Sequence, residues 1–381
     1  MEEKGLDYDK FRCYNDEEAS EALKRVAQNP LLDKIASMLW PGQDPAPVKA
    51  RMASFKGVLD FQIGFMKPAV ESVIANTTDG LSYSGIENIR DGRQHLLLSN
   101  HRDIILDPAI VQLIHYNNGL EPTHIAVGDN LVGNPFTEDL FRSNRAAIVR
   151  RSGTTKERYQ ASIMLSETIR KGIADNEYSM WIAQRGGRTK DGLDKTSQGL
   201  LKMLLMSGDK DLTSSFASLN VVPVSISYEY ESCDFLKARE LYMSRDGKPY
   251  VKAPGEDFMS LMTGVRQYKG RVHFNFGKNI TPEVVDSIQG ANRNERLQLL
   301  SDYIDGQIAE GYRLWPTHYI ARDILEGNES GLGNDYSATE REKFVSRMEK
   351  GLAEVAAGIP EADMAVLREI FLKIYSNSLV R

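Results

Sequence analysis

The rhythm of apolar and polar positions changes twice along the chain. Between residues 16 and 75 the spacing predicts helices: Leu23, Val26 and Leu31 begin an amphipathic pattern around Glu21, and Pro41, Pro45 and Pro47 break it. A second apolar segment, 53–76, carries Phe55, Val58, Leu59, Phe61, Ile63, Phe65 and Met66 and is interrupted by Pro68. It has enough apolar surface to cover one face of a core, which is the expectation; the alternative is that it lies on a membrane.

From about residue 81 the texture becomes short apolar runs separated by helical patterns. Strands are predicted at 81–89, 95–100, 123–129, 146–151, 180–184, 220–228 and 271–277. Between them lie helical stretches such as 155–173, where Ala161, Leu165 and Ile169 recur every four residues. Strand and helix in alternation predict an α/β fold, with a mixed, mainly parallel sheet flanked by helices. After residue 291 the pattern is helical again: an amphipathic stretch over 291–314, a Gly-rich break over 327–335, then two charged helices. The expected organisation is therefore an N-terminal helical region (1–80), an α/β domain (81–290) and a C-terminal helical region (291–381).

Composition narrows the function classes. The 381 residues are 41% hydrophobic and 26% charged, as in ordinary globular proteins, so no long disordered stretch is expected. The net charge of −6 gives no reason to expect nucleic acid as a partner. Two cysteines, Cys13 and Cys233, stand far apart in no ligand spacing, so no metal site is expected and a reducing, cytoplasmic setting fits. The acidic, polar start MEEKGLDYDK does not read as a leader peptide, and no apolar run of 18 residues occurs. Any lipid must then be reached from the membrane surface.

Several chemistries drop out for want of motifs. The sequence has no G-x-S-x-G, no phosphate-loop signature and no H-E-x-x-H. The pair Gly331 and Gly333 has Tyr336 where a dinucleotide fingerprint needs its third glycine. His101-Arg102-Asp103 is the tripeptide of a kinase catalytic loop, but the glycine loop, the strand lysine and D-F-G are missing.

The chemistry concentrates in HLLLSNHRDIILDPAIVQLI. Leu96–Leu98 reads as a buried strand with His101 just past its end. Asp107-Pro108 reads as the start of a helix, with Asp as the cap and Pro in the first turn. The loop between them can fold the Asp107 carboxylate back onto the His101 ring. Such a carboxylate fixes the imidazole tautomer and leaves the other nitrogen to take a proton from a hydroxyl. The competing reading is that Asp107 only caps a helix and His101 is a loop histidine satisfied by backbone.

This segment resembles the first motif of the glycerolipid acyltransferase superfamily, N-H-x4-D. Further segments resemble the later motifs in order: Arg145–Arg151, an apolar strand ending in Arg; Trp181–Arg188, similar to F-P-E-G-T-R; and Val221–Ser225, a strand centred on a proline. Two departures stand out. The spacing here is H-x5-D, so Asp107 is the expected partner, with Asp103 in reserve. The glutamate of the third motif is absent, its place falling on Gly186, or on Arg185 without a gap.

The resemblance implies direct acyl transfer from acyl-CoA or acyl-carrier protein to a hydroxyl of glycerol-3-phosphate or its 1-acyl form. His101 would be the base, with no further cofactor, at a membrane surface. It implies Arg150, Arg151 and Arg188 as phosphate ligands, with Gly187 letting backbone approach the anion and Arg185 and Arg145 as further candidates. Arg142, Lys190 and Lys195 read as solvated surface. The run Tyr228, Glu229, Tyr230, Glu231, then Asp234, reads as a strand emerging into solvent, or else as the acceptor mouth. Two other classes stay open: a non-catalytic lipid or carrier-protein binder on a degenerated acyltransferase scaffold, motivated by Gly186, and a hydrolase using the same His–Asp pair.

Overall fold

The computed structural model describes residues 8–247, 249–253, 255–328 and 335–380. Gly331 and Gly333, with most of the Gly-rich break, lie outside them, as do the first seven residues. Each of the seven expected strands is present: β1 (Gly80–Ser84), β2 (Leu96–Ser99), β3 (His124–Gly128), β4 (Ala146–Val149), β5 (Met180–Ala183), β6 (Val221–Tyr228) and β7 (Arg271–Phe276). They form one sheet in the order β1-β7-β6-β2-β5-β3-β4. All neighbours are parallel except β6 and β7. The mixed, mainly parallel α/β fold expected from the sequence is therefore the fold observed.

The topology places the carboxyl ends of β2, β3, β4, β5 and β6 on one edge, where loops of such sheets gather functional groups. β6 runs furthest. Its Val224 pairs with Ser99, the last residue of β2, so Ile226 and Tyr228 project past the edge beside the His101 loop. Asn100 ties that loop down, its side chain donating to the Ile226 carbonyl and accepting from the Ile226 amide.

The sheet separates two apolar cores. On one side Leu97, Ile125, Val127 and Trp181 pack under N-terminal helices; on the other Leu96, Leu98 and Ile182 meet helices Thr155–Ala174 and Arg293–Gly311. The 53–76 segment buries Phe55, Phe61, Phe65, Val70 and Val73 and leaves Leu59 and Ile63 exposed, so core packing prevails. Pro68 does not break it. A π-helical turn, Gln62–Met66, runs straight into helix Lys67–Thr77, and this widened turn directly precedes Pro68, which has no amide to donate. A third cluster, around Phe344, Phe371 and Tyr375, closes the C-terminal helices on helix Asp234–Met243.

Candidate active site

β2 ends in Ser99 and the chain turns through Asn100, His101, Arg102 and Asp103 into helix Leu106–Asn117. The helix begins two residues before the expected point, with Ile105 rather than Asp107 at the cap position, and that resolves the pairing. The carboxylate of Asp103, not Asp107, receives the first amides, from Ile105 at 2.9 Å and Leu106 at 2.8 Å. The turn at residues 104–105 takes up the extra residue of the H-x5-D spacing. Asp107 is thereby free of capping, and its Oδ2 lies 2.8 Å from His101 Nδ1. The same oxygen accepts from the Arg102 amide at 2.6 Å and the Asp103 amide at 2.9 Å. Asp107 is fully buried, and the imidazole edge packs against the Trp181 ring at 5.4 Å. Nε2 of His101 makes no hydrogen bond among the described residues, and the ring faces a cavity.

A buried ion network holds the loop. Arg102 is closed off from solvent and donates to Asp194 at 2.5 Å and Glu231 at 3.2 Å. Lys237, equally buried, bonds Glu231 and the Arg102 carbonyl. The expected emergence of residues 228–234 into solvent is therefore wrong: Tyr228, Glu229, Tyr230, Glu231 and Asp234 are all buried. Each acid has a buried or half-buried cation, Arg271 for Glu229 and Arg347 for Asp234, so alternation of Tyr and Glu marked paired charges, not exposure.

The cavity has a volume of about 280 Å³ and an overwhelmingly apolar wall. It starts at His101, Gly187 and Arg188 on the sheet edge and follows β3 from Gly128 down to Ile125, reaching Phe141 and Asn144. Three strand steps make its depth roughly 10 Å along the sheet. Its roof comes from Phe65, Ala69 and Val73, and from Leu261 and Val265 of helix Glu256–Arg266.

Around the mouth the basic candidates divide. Arg188 is 9% exposed, and its Nη1 is buried without a hydrogen-bond partner among the described residues. Arg151 also lines the cavity; its guanidinium makes no hydrogen bond among the described residues and lies against Gly128 and Gly186. Gly187, at φ +81°, takes the left-handed turn that brings backbone to the mouth. Lys190 lines the cavity but is paired with Glu240, and is not free surface. Arg150 turns away, bonding Glu157 at 3.0 Å outside the cavity, and Arg185 is half-buried and does not line it. Arg145 precedes β4, so it stands at the opposite edge of the sheet, bonded to Gln62 and Glu121. Arg142 is likewise not solvated: it is buried against the Arg12 and Asp9 carbonyls and stacks over Tyr14.

Sequence reasoning passed over two groups at the centre of the site. Trp181 was noticed only as a motif residue. Tyr228, at the end of β6, donates from Oη to Asp107 Oδ1 at 2.8 Å. Burial, then the charges of Asp107 and Asp103, hold its phenol well above the usual value. The length of β6 relative to β2 was the one available signal.

Comparison with known proteins bears on the class of the chain. The Acyltransferase family model matches residues 80–227, which makes this part of the chain an acyltransferase domain. Similar curated proteins include the glycerol-3-phosphate acyltransferase of Pseudomonas fluorescens (strain Pf0-1), 26% identical over 302 residues covering 75% of this chain and 34% of that protein. The glycerol-3-phosphate acyltransferase of Shewanella amazonensis is 29% identical over 211 residues, covering 53% and 24%. By this match and these relatives the chain carries an Acyltransferase-family domain over residues 80–227 and is similar to glycerol-3-phosphate acyltransferases. It spans about a third of the length of the curated relatives it matches. Among solved structures, the 1-acyl-sn-glycerophosphate (LPA) acyltransferase PlsC from Thermotoga maritima is similar with a TM-score of 0.40 and 12% identity, over 77% of this chain and 94% of that one.

Proposed function

We propose that the chain transfers a fatty acyl group from the thioester of acyl-CoA or acyl-carrier protein to a hydroxyl of glycerol-3-phosphate or its 1-acyl form. The observation that carries the reading is one mouth shared by three things: an imidazole oriented by a buried carboxylate, an unpartnered buried guanidinium, and an apolar cavity. His101 Nε2 takes the proton of the acceptor hydroxyl while that oxygen attacks the thioester carbonyl carbon. The tetrahedral intermediate collapses with cleavage of the C–S bond, and the thiolate leaves with the proton that His101 returns. Arg188 and Arg151 hold the acceptor phosphate, so the hydroxyl is positioned before reaction, and the acyl chain lies in the cavity. No step of this route passes through a metal or other resident cofactor.

The reading extends to a cytoplasmic protein working at a membrane surface. Among the described residues no helix is long and apolar enough to cross a membrane. Val251, 84% exposed, and Met259, 62% exposed, flank Lys252 and Phe258 at the cavity rim, which suits an apolar acceptor drawn from a bilayer.

The test is thiol release from long-chain acyl-CoA and acyl-carrier protein, with and without each acceptor, by wild type and His101→Ala. Acceptor-dependent release that falls about 10²- to 10⁴-fold in the variant is expected. Release without acceptor would make the protein a hydrolase, and full turnover by His101→Ala would remove His101 as the base.

A further inference from the structure

We infer that Tyr228 is a positioning residue of the reaction, the third member of a His101–Asp107–Tyr228 relay. The inference rests on the acyl-transfer reading and deepens it. The two oxygens of Asp107 are used very differently. Oδ2 takes three donors, from His101, Arg102 and Asp103, whereas among the described residues Oδ1 takes only the phenol of Tyr228. Both groups are fully buried, so no water replaces that bond if it is lost. A carboxylate with one oxygen unpaired in such surroundings gains by turning about its χ2 bond, which draws Oδ2 off the imidazole. Tyr228 therefore fixes the rotation of Asp107 and, through it, the tautomer and aim of His101.

The phenol suits the role because it stays a donor. Burial and the carboxylates of Asp107, Asp103 and Glu231 all disfavour its ionisation. The charged groups facing the relay from the surrounding elements are already committed. Asp103 bonds Ser232 and caps a helix, Glu231 is held by Arg102 and Lys237, and Lys269 is bonded to Thr77 and the Gln267 carbonyl. Arg188 and Arg151 line the cavity, and neither bonds Asp107. The position of Tyr228 is also secured independently of Asp107, because β6 is clamped by β2, β7 and Asn100.

Tyr228→Phe removes the one hydroxyl and keeps the ring. Expected is a fall in kcat of about 10- to 100-fold, the value of a hydrogen bond to a charged group, with KM for acceptor and donor unchanged. The carboxylate, less stabilised as an anion, lets the His101–Asp107 pair hold its proton more tightly, so the acid limb of the pH–rate profile moves to higher pH. In an Asp107→Asn background the same change should have little further effect on kcat. A purely structural role would lower the rate without moving the limb, and additive losses in the double variant would equally overturn the relay. Should the phenyl variant not fold, replacing tyrosine by 3-fluorotyrosine throughout makes the phenol a stronger donor. The limb then moves to lower pH, and an unmoved limb sinks the inference. The two readings fail separately: active His101→Ala overturns the acyltransfer mechanism, whereas inactive His101→Ala beside wild-type Tyr228→Phe overturns only the relay.

Discussion

Arg188 makes the clearest residue-scale claim, because its geometry is unfavourable for the isolated chain. A guanidinium removed from water with one nitrogen unpaired costs stability, and a folded protein tolerates that cost where a ligand supplies the missing acceptor. Function and stability should then respond in opposite directions. Arg188→Ala is expected to raise the acceptor KM about 10- to 100-fold, the value of charge-assisted hydrogen bonds to phosphate, with the melting temperature unchanged or higher. Steady-state kinetics with varied acceptor and a thermal melt check both halves; an unchanged KM would take Arg188 out of the site. The sequence disclosed this arginine through its motif and not through its burial. It gave Arg150 the same standing and Arg145 a lesser one, and pairing with Glu157 and the start of β4 carry them elsewhere. Motif spacing gives order along a strand, whereas side-chain direction depends on neighbours that only folding brings together.

Among the elements, helix Leu106–Asn117 does two jobs, and each leaves a measurable trace. Its first turn presents Asp107, because Asp103 takes over the cap. That exchange required Gly264 on the facing helix, where a Cβ would overlap the Asp103 carboxylate. Its last turn buries His115 against Phe276, with Nδ1 donating to the Val111 carbonyl at 2.9 Å. Burial lowers the His115 pKa to about 4. As pH falls below the ordinary histidine value near 6.5 the unfolded chain takes the proton first, so stability is lost between about 6.5 and 4. The full loss from this one group is about 3 kcal/mol. His115→Leu should flatten the fall in denaturant stability between pH 7 and pH 4.5 relative to wild type. A fall of the same size in the variant would show that His115 titrates normally. Elements of this kind were legible where apolar runs were bounded by turns, as in all seven strands. The reading ran too long at 81–89, where Gly85 turns the chain into a 3₁₀ helix, and it passed over helix Pro316–Leu325, whose buried face mixes Thr317, His318 and Asp323 with Ile320 and Ala321.

The whole molecule supplies what no segment discloses, a cavity with walls from the N-terminal helices, the sheet and helix Glu256–Arg266. Its parts are more than 200 residues apart in places, from Ile35 to Val265, so hydrophobic periodicity showed the N-terminal helices and the strands as core and none of them as a cavity wall. Helix Lys67–Thr77 runs from the deep end, where neighbouring Gln62 bonds Asn144 and Arg145, to the catalytic edge, where Thr77 accepts from Lys269. Ala69 therefore lies about 12 Å along the helix from that edge, in the deep half. A larger side chain there shortens the space without touching His101. Ala69→Leu is expected to lower turnover of long-chain donors at least 10-fold while short-chain donors keep wild-type rates, since burial of terminal methylenes at about 0.8 kcal/mol each is lost only for chains that reach it. Thiol release measured across a series of acyl-CoA lengths decides the matter. A cut-off moving to shorter chains assigns the cavity to the acyl group and gives the N-terminal helices a part in choosing it. An equal loss at every length would mean that the chain lies elsewhere, and that the cavity mouth is shaped for the acceptor alone.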